Sequence, residues 1–390
     1  MAGASESVVI VGGAIVGSAV AWFLRALGFA GAVTVVERDA SYQHSSTALS
    51  AASIRTQFGT PVNIHMSLYG ADFLRRIGER FGAGADVGFV ERGYLILGGL
   101  DSVEARKAGV AMQRREGADV AALSPGEAKA RFPWLDVDDV GIATTALRHE
   151  GWFDAWSLMS LFRRAARERG VAYVEAEAVG LDIAGDRVRG VRLADGGAIA
   201  ADRCVVAAGA SSGTLLRGAG IDLPVTPRKR TVFAIRAPLD RADVPMLFDT
   251  TGAWIRPEGE GFICGIAPPA DDDPDATDDF EPAHELLEEV VWPALAHRIP
   301  ALEQLRLERA WAGHYEVNAL DHNGIVGPHD EIANLIFATG FSGHGVMHAP
   351  ATGRGVAELI VKGGFETLDL SPLGYGRIRA GLPLRESVIY

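Results

Sequence analysis

The chain has 390 residues, which at roughly 100–200 residues per domain allows two or three domains and a large core. Hydrophobic residues make up 48% and charged residues 22%, which excludes a mostly disordered chain, and the 47 glycines keep no three-residue period, which excludes collagen. A net charge of −13 argues against nucleic-acid and anionic-membrane partners, and two cysteines (Cys204 and Cys264, each in an apolar run) form no disulfide framework or CxxC metal pair, as expected in a reducing cytoplasm.

The run from Val8 to Leu24 is apolar enough to imitate a membrane span. No Lys or Arg precedes it and three glycines interrupt it, so it reads as strand, turn and helix, with no membrane span. Residues 8–11 form the first strand, 12–17 the turn, and a helix follows to about Leu27 with Gly28 as its stop. Residues 33–36 form a second strand that ends in Glu37. Neither strand alternates, which suits a parallel sheet covered on both faces. Helices are expected over 61–81 and 157–169, strands over 172–175, 188–193 and 203–207, a strand over 335–338 and a helix over 351–361. Residues 86–100 and 230–266 alternate and carry turns, so they are assigned to a second, sheet-based domain inserted into the first. The acidic stretch 271–281 lacks the Gly and Glu of a calcium loop, having Ala276 and Pro282 there, and reads as a solvated loop.

The strongest local signal is VVIVGGAIVG followed by VTVVER. A dinucleotide turn wants glycines for a tight turn, for backbone approach to a pyrophosphate and for helix packing. Gly12, Ala14 and Gly17 hold these positions; the middle one departs from the rule, although Gly13 beside it keeps the loop small. Ile15 and Val16 open the helix, whose N-terminus offers amides and a positive dipole end to phosphate. Glu37, followed by Arg38, lies 20 residues after Gly17, where a carboxylate accepts from ribose hydroxyls. These features point to an adenine dinucleotide and leave NAD and FAD open.

Four stations then resemble the FAD-dependent D-amino-acid oxidase, glycine oxidase and sarcosine oxidase superfamily over nearly the whole chain. They are 8–37; SSTALSAASIRTQF at 45–58; DRCVVAAGASS at 202–212; and TGFSGHG at 339–345, which is similar to sarcosine oxidase and to the proline dehydrogenase β-subunit. The resemblance implies a doubly wound, Rossmann-like FAD domain (1–85, 148–222 and 308–390) and an antiparallel-sheet substrate domain (86–147 and 223–307). It places Ser45, Ser46, Thr47, Ser50, Ala51 and Ala52 in a flavin loop, with Val179 and the small Ala207, Ala208 and Gly209 under the dinucleotide. Gly340, Gly343, His344, Gly345, Val346 and Met347 then meet the ring, where a helix N-terminus stabilises negative charge on reduced flavin. Arg55 matches the residue that holds a substrate carboxylate, a task suited to its planar fork. Tyr315 and His314 fall near the flavin.

Departures from the family matter too. Met347 stands where sarcosine oxidase has a second carboxylate-gripping lysine. Leu49 and Gly313 stand where some members carry the His or Cys that bonds flavin, so noncovalent FAD is expected. The lysine that speeds oxygen reaction has no counterpart in GFICGI, so oxygen and an electron-transfer flavoprotein or quinone are both open as acceptor. His314, His322 and His329 lack metal-ligand spacing, and no metal is expected. The expected activity is oxidation of the C–N bond of an amino acid or N-substituted amine to an imine that hydrolyses, with Arg55, His344 and Tyr315 at the site. The alternatives are a flavin-dependent 2-hydroxy acid dehydrogenase and a non-catalytic FAD-holding protein, since the early loop and TGFSGHG also resemble a mitochondrial complex I assembly factor of this superfamily.

Overall fold

Short strands with no polar face need cover on both sides, and a parallel sheet supplies it. In the computed structural model, which describes residues 6–146, 148–269 and 272–386, Val8–Val11 pairs in parallel with Val33–Glu37 on one side and Arg203–Val206 on the other. The helix Ile15–Ala26 makes the first crossover. Ala172–Glu175 extends the sheet beyond Val33–Glu37, Leu335–Thr339 extends it beyond Arg203–Val206, and Ile325–Pro328 adds an antiparallel edge.

The helices Ile15–Ala26, Pro61–Arg75, Ala155–Glu168 and Gly345–Lys362 share one apolar core, in which Phe73 stacks on Phe162 with centroids 5.4 Å apart and Trp22 meets Phe23 edge-on. Val9, Val11 and Val36 belong to a second core together with Leu181, Val188 and Leu215. Leu181 and Val188 come from a three-stranded antiparallel sheet, Ala178–Ala184, Arg187–Leu193 and Ala198–Ala200.

A separate eight-stranded sheet runs in the order Arg306–Asn318, Val225–Arg236, Gly261–Gly265, Trp254–Glu258, Met246–Phe248, Tyr94–Gly98, Ile142–Ala146, Val120–Leu123. It is antiparallel apart from the pair Met246–Phe248 with Tyr94–Gly98. Arg306–Asn318 pairs along its whole length with Val225–Arg236, so a domain boundary between residues 307 and 308 falls inside a strand and 308–318 run in the larger sheet.

Two expectations change in detail. The helix over 61–81 divides at Arg76, whose φ of −103° and ψ of 26° leave helical geometry, into Pro61–Arg75 and Ile77–Phe81. The helix expected from 351 starts earlier, at Gly345, and carries Pro350 inside it. Pro350 is the sixth residue of this helix and has no N–H to donate to the Val346 carbonyl. The acidic stretch is largely exposed, as a solvated loop should be, and it is also fastened, as a strap, by ion pairs. Asp273 pairs bidentately with Arg230 at 2.7 Å, Asp275 with Arg228 at 3.1 Å and Asp279 with Lys229 at 2.6 Å. Asp271 of that stretch lies outside the described residues. Among the described residues, no helix is long and apolar enough to cross a membrane.

Candidate cofactor and substrate site

A cleft of about 470 Å³ opens at the carboxyl ends of the parallel strands. Gly12 forms its tight turn at φ 100°, and a Cβ there would come within 2.2 Å of the Ala207 carbonyl oxygen. A Cβ on Gly17 would come within 1.9 Å of the Gly12 oxygen, so the helix packs directly on the turn. Ala14 is the N-cap and makes no side-chain cap bond. The Ile15 amide donates to Thr47 Oγ1 at 3.3 Å. This uncapped helix start faces the cleft, an arrangement that suits phosphate. Glu37 lines the same cleft; its Oε2 accepts from the Gly13 amide at 2.8 Å and its Oε1 from the Asp39 amide at 3.0 Å. Glu37 therefore braces the turn, and each oxygen keeps a lone pair for a ribose hydroxyl.

Most of the expected cofactor residues line this cleft: Gly12, Ala14, Ile15, Val16, Glu37 and Arg38 from the first strands and turn, then Ser45, Ser46, Thr47 and Ser50 from the loop. Val179, Ala207, Ala208 and Gly209 line it from the middle of the chain, and Tyr315, Gly343, Gly345 and Val346 from near the C-terminus. Gly13, Gly17, Ala52, Gly340 and Met347 are outside its lining. Ala51 and Gly313 instead line a small neighbouring pocket with Leu49, Arg230 and Tyr315. There a Cβ on Gly313 would come within 2.8 Å of the Leu49 Cβ, so these two positions pack against each other. The loop hydroxyls are already engaged: Ser46 Oγ donates to the His314 carbonyl at 2.6 Å, and Ser45 and Ser50 accept from the Ala48 and Ala52 amides.

Arg55 and His344 come together behind the cleft wall. Both are buried, and Arg55 Nη2 lies 3.4 Å from His344 Nε2. Arg55 also donates to the Gln57 carbonyl at 2.7 Å, and its Cζ lies 4.0 Å from the Phe58 ring centroid. Burial and then the Arg55 charge pull His344 well below the ordinary imidazole range, so it is neutral and Nε2 faces the guanidinium as an acceptor. His348 is held down to about 3 by burial and Arg55, and its Nε2 lies 3.0 Å from Ser67 Oγ. Tyr315 lies under the turn, where a Cβ on Gly343 would meet its ring at 2.5 Å.

Four residues at the site carry no local signature. Glu150 is fully buried and accepts from the Thr56 amide and hydroxyl at 2.7 Å each, the Gln57 amide at 3.1 Å and Gln57 Nε2 at 2.9 Å. Burial pushes its carboxyl up to about 7. Arg256, 4% exposed, donates from Nε and Nη2 to the Ala51 carbonyl at 3.0 and 2.6 Å, tying the larger sheet to the loop. Asp278 reaches the cleft from the acidic strap, and Glu316 reaches it from strand Arg306–Asn318. The one sequence hint was an acid beside HY in a strand otherwise turned inward, AGHYEVN.

A strand-end cleft over a glycine turn, an uncapped helix start and a carboxylate at the second strand together define a dinucleotide-binding oxidoreductase. The chain belongs to the FAD dependent oxidoreductase family (DAO), whose model matches residues 7–359. It is 40% identical over 418 aligned residues to FAD-dependent oxidoreductase domain-containing protein 1 of Xenopus laevis, covering 97% of this chain and 84% of that protein. Glycine oxidase of Geobacillus kaustophilus is 27% identical, with 95% of this chain and 96% of that protein covered. Among solved structures, L-proline dehydrogenase from P. horikoshii superposes with a TM-score of 0.85 at 30% identity, over 97% of this chain and 98% of that one. The cofactor is FAD, and the cleft fits it. Gly12 and Gly17 leave no room for a Cβ, the helix start has no side-chain cap from Ala14, and the lining runs from Glu37 to the helix beginning at Gly345.

Proposed function

We propose that the protein oxidises the C–N bond of an amino acid or N-substituted amine to an imine that water hydrolyses. One observation carries this reading: Arg55 is buried beside neutral His344, which itself stands between two glycines of the cleft wall. A guanidinium is suited to bind a carboxylate in two contacts, and Arg55 would in this way orient the carbon to be oxidised. The surrounding Phe58 and Tyr94 exclude water and strengthen that contact. Bound FAD supplies the two-electron acceptor; Gly12, Glu37 and the helix start at Ile15 hold its dinucleotide end. His344, uncharged, offers one ring nitrogen to Arg55 and keeps a proton on the other. The eight-stranded sheet, with 86–147 and 223–307 as its main segments, would form the substrate side. Proline dehydrogenase and glycine oxidase among the similar proteins support an amino-acid substrate.

An FAD-holding role without turnover is the second reading, favoured by Met347 at the position of the second carboxylate grip. Anaerobic mixing of the purified yellow protein with amino acids, N-methyl amino acids and 2-hydroxy acids decides between them. Loss of flavin absorbance with an amine supports amine oxidation, and loss with hydroxy acids alone redirects it. No loss with any of them leaves the holding role. Repetition in air reports whether oxygen is the acceptor.

A further inference from the structure

Glu316 is an acid that amine oxidation does not use. Its part-buried side chain lines the FAD cleft. Its Oε2 accepts from Thr339 Oγ1 at 2.9 Å and from the Gly340 amide at 3.0 Å, and the Phe341 amide also donates to the carboxyl. Thr339 Oγ1 is in turn 2.7 Å from Ser212 Oγ, so the carboxyl is fixed to the floor of the cleft by a short network. Its other oxygen faces Gly345, the first residue of the long helix, where a Cβ would come within 3.0 Å of it.

No cation balances it among the described residues around it. On the paired strand, Pro227 lies opposite, and the neighbouring Arg228 is engaged by Asp275. On its own strand, His314 binds the Asp279 carbonyl and Tyr315 is neutral, its phenol raised by burial. On the turn, His344 is neutral, and the segment Gly209–Ser211 carries no ionisable group. The rest of the cleft lining carries the acids Glu37, Asp39, Glu177 and Asp278 and the basic groups Arg38 and His44, none of which is hydrogen-bonded or ion-paired to Glu316.

We propose that Glu316 is a redox-linked proton site: when FAD in this cleft is reduced, the Glu316 carboxylate takes one proton from solvent and holds it. The balance is simple. FAD, two electrons and one proton give the anionic reduced cofactor, and Glu316 takes a second proton. Both electrons come from the reductant and both protons from water. The physical cause is the added negative charge in a low-dielectric cleft, which raises the proton affinity of an acid already held there without a cation. Burial pushes this carboxyl up to about 7 against the hydrogen bonds that favour its charged form, so it is poised near neutrality. This inference rests on FAD binding and not on the substrate.

The test is the midpoint potential of the bound flavin, measured by dye equilibration from about pH 6 to 9 in wild type and Glu316→Gln. The amide keeps an oxygen for Thr339 and Gly340 but cannot titrate. Above about pH 7 the wild-type potential should fall with pH twice as steeply as that of the variant, two protons per two electrons against one. Superimposable slopes overturn the proposal. If Glu316→Gln fails to hold FAD, Thr339→Val is measured instead. It keeps the acid but removes one donor to its charged form, so the steep region should begin at higher pH; an unmoved onset overturns the proposal. No substrate is added, so failure of amine oxidation and failure of this proposal are read separately.

Discussion

Gly12 and Gly17 are set by what lies against them. Gly12 combines φ 100° with a backbone oxygen 2.2 Å from any Cβ, and Gly17 meets the Gly12 oxygen at 1.9 Å. Neither obstacle is a flexible side chain, so Gly17→Ala must push the helix off the turn. The expected result is a loss of about 1–3 kcal/mol of stability together with lost FAD, read from the melting temperature and the ratio of flavin to protein absorbance. An alanine variant with normal flavin content would contradict this account of the turn. Arg55 makes a different kind of claim. If its fork binds a carboxylate, Arg55→Lys keeps the charge but loses the two-point contact, and KM should rise by about 10- to 100-fold, which is about 1.5–3 kcal/mol. Equal KM values for the two proteins would remove Arg55 from substrate binding, since steady-state kinetics on any active amine would show it directly.

At the scale of elements, the segment 55–57 is held to the rest of the molecule by Glu150. This carboxyl accepts four hydrogen bonds yet sits at about 7, because burial outweighs those bonds. A carboxyl raised in the folded protein stabilises it while protonated. That contribution is complete below the ordinary carboxylate range and fades as pH rises to about 7. Urea midpoints should therefore fall from about pH 5 to 7 in wild type and fall less in Glu150→Gln; parallel profiles would show that Glu150 does not titrate there. The same element shows why sequence reading stops where it does. Strand, glycine turn and helix at 8–26 were legible because every feature lies within twenty residues and follows backbone geometry. The turn at 339–345 was legible as a motif. Glu150 was not, since its partner Thr56 is 94 positions away, and Arg256 lies 205 positions from the Ala51 oxygen it holds. A buried charge shows itself by its partners, and a linear pattern does not display partners that distant. The acidic strap shows the same limit: its composition reads correctly as solvent-facing, but not as fastened by Arg228, Lys229 and Arg230, which lie 43 to 50 positions away.

For the whole molecule, the cleft is a junction. Its lining draws on 11–16, 36–50, 176–179, 207–215, 314–316 and 343–346, so strands, loops and a helix from both ends of the chain meet on one ligand. A ligand that touches so many separate segments is bound only when all are in place, and its affinity adds to folding stability. At a free FAD concentration one hundred times Kd the gain is about 2.7 kcal/mol. Leu49 and Gly313, packed on each other, offer no imidazole or thiol for a bond to the ring, and that gain is expected to be reversible. Acid precipitation should leave a white pellet and a yellow supernatant. Protein stripped of FAD should melt several degrees lower and recover when FAD is returned, in proportion to the logarithm of its concentration. A pellet that stays yellow would mean that some other side chain forms the bond, and a melting temperature indifferent to FAD would mean that the cleft is assembled without it.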